Sequence, residues 1–359
     1  MTTITLEHLH KRFADPTSKT KPVQAVDDVS MKIGTGEVLA LVGPSGCGKT
    51  TILRMVAGLE TPDQGNIIYN HQPLNDIPLR ERNIGMVFQE GALIPHWEAQ
   101  QNIGFFLWLR HREQEVPERV HRIAQITGFG IEQLLSRRTD KLSGGEQQRI
   151  AIARALTRDL SVLLLDEPFA HLDAKFRMEA RHELKRLLKE FTVTTIYVTH
   201  DQTEAIALAH RIAVMRSGKV EQVGTYRHLY ESPLNLFIAT FFGMHPINLF
   251  HGHVERAHWQ GRNFRHYPIR SDLDDGTKVI MGVRPEDMVL NEDGIPCTVQ
   301  MVTPFFAERH LLVEVSASGE NWTLLLPLDM SVRVHDTLKC SPKVEQALYF
   351  DSRSGIRIG

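Results

Sequence analysis

Short apolar runs alternate with amphipathic stretches over the first two thirds of the chain. Val38 to Val42 is an uninterrupted apolar run closed by Gly43, as in a buried strand, and a helical pattern follows from Lys49. Val162 to Leu165 is a second such run. Beyond it, Phe176, Ala180, Leu184, Leu187 and Phe191 recur at spacings of three and four among Arg, Lys and Glu. That spacing predicts a helix from near Asp173 to about Glu190 with one solvated face. Thr194 to Thr199 is β-branched and aromatic, hence a strand. Strands alternating with helices predict an α/β domain with a largely parallel sheet.

The texture changes near Phe241 to Pro246. Downstream the pattern predicts short strands at Lys278–Val283, Thr298–Val302, Leu311–Val315, Trp322–Leu326 and Ala347–Phe350, separated by turn residues. These fit a small β-barrel or sandwich. The boundary is expected at about residue 240, giving domains 1–240 and 241–359. No repeat or low-complexity tract is evident.

Composition narrows the classes. With 359 residues, 42% hydrophobic and 23% charged, the chain can bury a large core and a smaller one. Net charge is −2, and from Met244 on 12 Lys and Arg face 15 Asp and Glu. Nothing here favours a nucleic-acid partner. Cys47, Cys297 and Cys340 are too few and scattered for a disulfide framework or a zinc site, so a reducing cytosolic compartment is expected. Apolar runs such as Phe105 to Leu109 fall far short of the roughly 20 residues that span a bilayer. The first residues alternate like a strand and lack a signal peptide's apolar core.

Gly43-Pro44-Ser45-Gly46-Cys47-Gly48-Lys49-Thr50 fits G-x-x-x-x-G-K-[ST], with a strand before it and a helix after. The glycines let backbone N–H groups turn inward around phosphate oxygens, and the helix N-terminus adds partial positive charge. Lys49 is placed for the terminal phosphates, and Thr50 offers its hydroxyl to Mg²⁺. Cys47 lacks the surroundings of a catalytic thiol. The run Val162 to Leu165 ends in Asp166 and Glu167, which a strand would deliver beside the cradle. Asp166 would hold Mg²⁺ through water, and Glu167 would polarise the attacking water.

Between these anchors, Leu142-Ser143-Gly144-Gly145-Glu146-Gln147-Gln148-Arg149 opens a helix through Leu156 and makes a second anion nest. The combination resembles the ATP-binding subunits of ABC transporters, whose signature is LSGGQ; here Glu146 stands for the commonest Gln. The resemblance implies a P-loop ATPase domain with a mixed sheet and a helical subdomain. Gln89, after Met86-Val87-Phe88, matches the glutamine loop that couples Mg²⁺ and water to the membrane subunit. His200 matches the switch histidine on the γ-phosphate, and Asp173 the loop that crosses to the partner, although Ala170 and His171 depart from the usual pattern. Phe13 aligns with the aromatic that stacks on adenine; the bland alternative is a buried strand-end Phe. Lys49, Glu167 and His200 are then the catalytic set. Nucleotide-binding residues are Phe13, Gln89 and the cradle from Gly43 through Thr51. The metal set is Thr50, Gln89 and Asp166. Asp15 to Lys21 reads as a solvated hairpin tip.

Phe241-Phe242-Gly243, Asn248-Leu249 and Gly282-Val283-Arg284-Pro285-Glu286-Asp287 resemble the C-terminal regulatory domain of maltose-type importer ATPases, an all-β fold like oligonucleotide-binding barrels. The resemblance implies ATP and Mg²⁺ as cofactors and a homodimer in which Ser143, Gly144, Gly145 and Glu146 act in trans. Partners would be two permease subunits and an extracytoplasmic solute-binding protein, at the cytoplasmic membrane face. Sugar is the expected solute; glycerol phosphate, polyamine, ferric ion and anions are the alternatives. In the family, the surface at Ala92 to Trp97 docks the membrane subunit; core packing of Leu93 and Ile94 is the other reading. His245, His251, His253, His258 and His266 are expected on an exposed hairpin rather than at a metal or pH-sensing site. A ribosome-acting ATPase would carry two cassettes and basic arms. A dead cassette would have lost Lys49, Asp166, Glu167 or His200. An exporter normally lacks this tail.

Overall fold

A computed structural model of the chain describes residues 2–14, 22–89, 91–127, 130–170, 172, 174–269 and 273–358. The chain forms two compact units, Met1–Tyr226 and Arg227–Gly359.

The first unit begins with β1 (Ile4–Phe13), β2 (Val23–Ile33), β3 (Val38–Val42) and α1 (Lys49–Ala57). β4 (Gln64–Tyr69), the two-residue β5 (Gln72–Pro73) and β6 (Ile84–Val87) follow, then α2 (Ala99–Trp108), α3 (Val116–Thr127) and α4 (Gly144–Leu156). It finishes with β7 (Val162–Asp166), α5 (Ala174–Phe191), β8 (Thr194–Val198), α6 (Gln202–Leu208), β9 (Arg211–Arg216) and β10 (Lys219–Gly224). The two runs read as buried strands are β3 and β7, the β-branched stretch read as a strand is β8, and all three are buried at every position. They lie side by side and parallel in a six-stranded sheet of order β10-β9-β3-β8-β7-β6. A strand covered on both faces cannot alternate, which is why β3 and β7 read as continuous apolar runs.

One face of that sheet, with α1, packs against a four-stranded antiparallel sheet of order β2-β1-β4-β5. Leu39, Leu41, Ile52, Val56 and Ile4 share that core. The other face buries Leu163, Leu165 and Tyr197 against α4 and α5, through Ile150, Ala153, Leu184 and Leu187. The apolar spacing read on α5 thus points into a core, with Ala180, Leu184 and Leu187 buried.

Among the described residues the second unit is β-rich, its α-helices being two short ones, Tyr226–Glu231 at its start and Leu236–Phe241. A six-stranded and a four-stranded antiparallel sheet share one core that includes Phe250, Trp259, Val279, Val313 and Trp322. Strand Lys278–Val283 matches its expectation, whereas Thr298–Val302 is only part of an 18-residue strand, Met288–Phe305. Its polar Asn291 to Gly294 stretch looks like a turn but is an irregularity, with Leu290 and Ile295 both paired to Cys340. Strands Asn248–Glu255, His258–Gly261 and Thr337–Pro342 were not foreseen.

The boundary between the compact units lies earlier than the expected residue 240. Helix Leu236–Phe241 belongs with the β-rich unit because the Leu236 N–H donates to Gly355 O (2.8 Å) and Asn235 bridges Ile356. Buried Arg284 adds a clamp, donating to Phe242 O (2.8 Å) and Tyr230 O (2.9 Å) while its guanidinium lies 3.5 Å from the Tyr230 ring centroid. His251, His253 and His258 stand exposed on a two-stranded hairpin, as expected. His245 does not: it is buried, its Nε2 is 3.0 Å from His310 Nε2, and it packs on Phe305.

Candidate functional site

β3, β8 and β7 are adjacent and parallel, so the segments leaving their carboxyl ends emerge at one edge of the sheet. Ligands gather at such edges in α/β folds. β3 delivers the glycine loop, β7 delivers Asp166 and Glu167, and β8 delivers His200.

The loop's path demands glycine at two points. Gly43 and Gly48 have φ of 150° and 103°, and a Cβ on either would lie 2.2 Å from a carbonyl oxygen, of Met215 and Ala25 respectively. Gly48 is also the N-cap of α1 and brings no capping side chain, and the first turn has no acidic residue. The first N–H groups of the helix are therefore left for an anion. The buried Lys49 ammonium donates to Gly43 O (2.8 Å) and Pro44 O (3.0 Å), which holds it within the loop. Burial raises the Cys47 thiol's pKa and keeps it neutral, so it is no nucleophile.

The Thr50 hydroxyl donates to Asp166 Oδ1 at 3.1 Å across 116 residues of sequence. This bond joins the cradle to the acidic strand end. Burial pushes the Asp166 pKa up, opposed by the Thr50 hydrogen bond and reinforced by Glu167. A buried carboxylate in that condition suits a cation. Hydroxyl, carboxylate and, on its exposed turn, the Gln89 amide are hard oxygen donors of the kind Mg²⁺ takes.

Glu167 follows with φ 43°, left-handed backbone that a non-glycine residue adopts at a cost. Its N–H donates to Val198 O (3.0 Å), and its Oε2 lies 3.3 Å from His200 Nδ1. The two side chains expected to handle water and phosphate are thus neighbours. Beneath His200 lies a network that the sequence reading missed. The Tyr197 and Thr199 hydroxyls donate to the buried Glu204 carboxylate at 2.6 and 2.7 Å. Asp201 caps α6 by accepting from the Thr203 and Glu204 N–H groups. The Asp-x-x-Glu spacing before an apolar stretch was the available signal.

Ser143 caps α4. Its hydroxyl accepts from Glu146 N (3.3 Å), and its N–H donates to Glu146 Oε2 (2.7 Å). Burial opposes the charge, but these Ser143 donors and Arg137 hold the Glu146 carboxyl below its ordinary value. Glu146 therefore plays the capping-box part a Gln would play. Among the described residues, no hydrogen bond or ion pair joins Ser143 to Glu146 with the cradle. Phe13 ends β1, 40% exposed, with Lys11 Nζ 5.4 Å from its ring centroid. It is not the buried strand-end residue of the alternative reading. Asp173, His171 and the stretch 15–21 lie outside the described residues. Leu93 packs partly on the core, and half-buried Trp97 meets Phe105 and Trp108 at 5.8 Å each. The fully buried Asn102, also missed, fixes this segment by bonding the N–H and the carbonyl of Ile94.

Residues 26–170 match the family model described as ABC transporter. Over 366 residues the chain is 40% identical to an uncharacterized ABC transporter ATP-binding protein, y4oS of Sinorhizobium fredii, covering 100% of this chain and 95% of that one. It is 38% identical over 372 residues to the sn-glycerol-3-phosphate import ATP-binding protein UgpC of Bordetella avium, covering 100% and 99%. It is 46% identical over 291 residues to the xylose/arabinose import ATP-binding protein XacJ of Haloferax volcanii, covering 79% and 73%. A solved dimer of the ATP-binding cassette MJ0796, in a post-hydrolysis state with ADP and Pi, aligns with TM-score 0.53 and 30% identity, covering 62% of this chain and 98% of that one.

Proposed function

This chain belongs to the ATP-binding proteins of the ABC transporter family, and from that membership we propose that it hydrolyses ATP as a dimer to drive uptake of a sugar-class solute through separate membrane subunits. The Thr50–Asp166 bond beside the Glu167–His200 pair is the observation that carries the chemistry. It gathers a phosphate cradle, a cation-holding carboxylate, a base and a histidine at one sheet edge.

The residues divide the work. The loop N–H groups and Lys49 bind the phosphates of ATP, and Phe13 offers its exposed face to adenine. Thr50, Asp166 and Gln89 would hold Mg²⁺, which supplies charge neutralisation on the phosphate oxygens. Glu167 takes a proton from the attacking water, and His200 donates to the terminal phosphate. Ser143, Gly144 and Gly145 serve the partner's nucleotide, since their contacts in this chain leave the cradle alone. Asp173 belongs to the same crossing surface. The solved MJ0796 dimer supports two-chain assembly.

Among the described residues no helix is long and apolar enough to cross a membrane. The chain works peripherally, on the cytoplasmic face, with two permease subunits and a solute-binding protein. Ala92 to Trp97 supplies the docking surface. The name of XacJ supports a sugar as cargo, and that of UgpC supports glycerol phosphate as the alternative. The β-rich unit serves regulation and dimer contact, and the nucleotide chemistry stays in the first unit.

Mixing Lys49→Ala chains with Ser143→Arg chains tests the assembly. A heterodimer has one doubly damaged site and one site with both motifs intact, so ATP-driven closure returns in the mixture. Closure no better than in either mutant homodimer, with mixing verified, refutes shared sites. A strain lacking the chain loses uptake of labelled pentose or hexose; retained uptake of both refutes the sugar assignment, and loss of glycerol phosphate uptake instead favours the alternative.

A further inference from the structure

α4 carries Ser143 at its start, and near its other end Arg154 reaches across to the turn that follows Gln89. The Arg154 guanidinium donates through Nη2 to Gly91 O (3.0 Å) and through Nη1 to Ala92 O (2.9 Å). Both acceptor residues are left-handed, with φ of 70° and 46°, so consecutive peptide planes are turned toward one fork. For Ala92 that conformation is costly and must be held from outside. The Gly91 N–H closes the turn on Phe88 O at 2.9 Å.

Gln148, from the same helix, lies against this turn. Its Oε1 is 3.7 Å from the place a Gly91 Cβ would take, and its Nε2 is buried without a hydrogen-bond partner among the described residues. Gln89 and Gly91 share a cleft of about 150 Å³ with Gly144, Gln147, Gln148, Pro168 and Leu172. The glutamine turn therefore borders the signature helix on one side and the segment after Glu167 on the other.

Arg154 has no carboxylate within ion-pair distance among the described residues, and burial lowers its pKa. Arg154 is half-buried, and among the described residues its hydrogen bonds go to main-chain carbonyls, an expensive way to close a turn. What the planar fork supplies, and a single-point donor does not, is a fixed orientation of two successive carbonyls.

We propose that Arg154 is a positioning residue for ATP hydrolysis, making the Gln89 turn and the start of the Ala92 to Trp97 segment move as one body with the signature helix. This rests on the reading of Gln89 given above. A signature helix drawn toward the partner's nucleotide then carries Gln89 with it, so the site in one chain registers engagement of the other.

The test uses the full chain with Arg154→Met, Arg154→Lys and Gln89→Ala. The readouts are MgATP affinity, phosphate release per bound nucleotide and thermal midpoint. Arg154→Met keeps the parental Kd and loses about 10- to 100-fold in kcat, the cost of misplacing a group by about 1 Å. Arg154→Lys, which can hold one carbonyl, falls between the two. A merely structural role lowers the midpoint and the bound fraction but leaves kcat per bound nucleotide at the parental value in both variants; that result overturns the proposal. If Arg154→Met does not fold, parental kcat in Arg154→Lys overturns it alone. Parental kcat in Gln89→Ala removes the reading of Gln89 itself, whereas a fall there beside parental Arg154 variants removes only this inference.

Discussion

Replacing Glu167 by Gln separates chemistry from folding. The substitution keeps the side chain's volume and leaves the backbone bond from Glu167 N–H to Val198 O untouched. Among the described residues the carboxylate's one ionic contact is with His200, at 3.3 Å and partly exposed, so its loss costs less than about 1 kcal/mol of stability. Losing a general base costs about 10²- to 10⁴-fold in rate, or about 3 to 5 kcal/mol of transition-state stabilisation. The catalytic effect is several times the folding effect, so a fall in turnover cannot be blamed on unfolded protein. MgATP binding persists because Lys49, Thr50 and Asp166 are unchanged, and the bound dimer stays closed. Glu167→Gly adds a diagnostic. It relieves left-handed strain of about 1 to 2 kcal/mol and loses about 0.5 to 1 kcal/mol to backbone entropy. That variant is as stable as the parent or slightly more so, yet as inactive as Glu167→Gln. Phosphate release, equilibrium nucleotide binding and denaturant midpoints on the three proteins decide it. Turnover of Glu167→Gln within tenfold of the parent, or loss of MgATP binding in the folded variant, refutes the role given to Glu167.

Arg284→Met removes two charge-assisted bonds to carbonyls and the contact with Tyr230, lowering stability of the second unit by about 3 to 5 kcal/mol. Tryptophan fluorescence from Trp259 and Trp322 should show that unit melting at lower denaturant while MgATP binding survives; an unmoved transition counts against the clamp. Asp201→Ala removes the cap of α6 and costs about 1 kcal/mol near neutral pH. Burial works against the Asp201 charge, but the Thr203 and Glu204 donors outweigh it and hold the carboxyl below its ordinary 3.8. The cap's electrostatic share is therefore fully present above 3.8 and is lost as the pH falls through the depressed value. Denaturant midpoints of parent and variant should converge on acidification below about pH 4; a gap independent of pH refutes the linkage.

The legible parts of this molecule are those where one constraint acts alone. β3 and β7 are buried on both faces and are almost wholly apolar, and the equally buried β8 is β-branched and aromatic, so their positions could be read to within a residue. The cradle was legible because its glycines answer to backbone clashes at Gly43 and Gly48. The second unit was harder. Its strands face core on one side only, and irregularities such as Asn291 to Gly294 imitate turns. Strand Asn248–Glu255 buries Asn248, Phe250 and Val254 while exposing Leu249, His251 and His253, a pattern that composition alone reads as a histidine cluster. The supports of the site were least legible. Asn102 and Glu204 act by bonding the loop or strand end a few residues upstream, and Arg154 by reaching a turn 63 residues away, which nothing in its local sequence specifies.

The strand order of the parallel sheet also sets a schedule for synthesis. β3, which launches the cradle, is made early, but its two neighbours, β8 and β9, come from the far end of the first unit. The loop itself leans on late-made chain, with Gly43 against the Met215 carbonyl and the Gly218 N–H donating to Cys47 O at 3.2 Å. As the chain leaves the ribosome, β3 therefore has both edges unpaired while α2 through α5 are being made, a long wait for an apolar strand. Nucleotide binding is a late acquisition of the growing chain. A product released before β9 is an unfinished ATPase rather than a smaller one, with its most apolar strand open to the wrong partner.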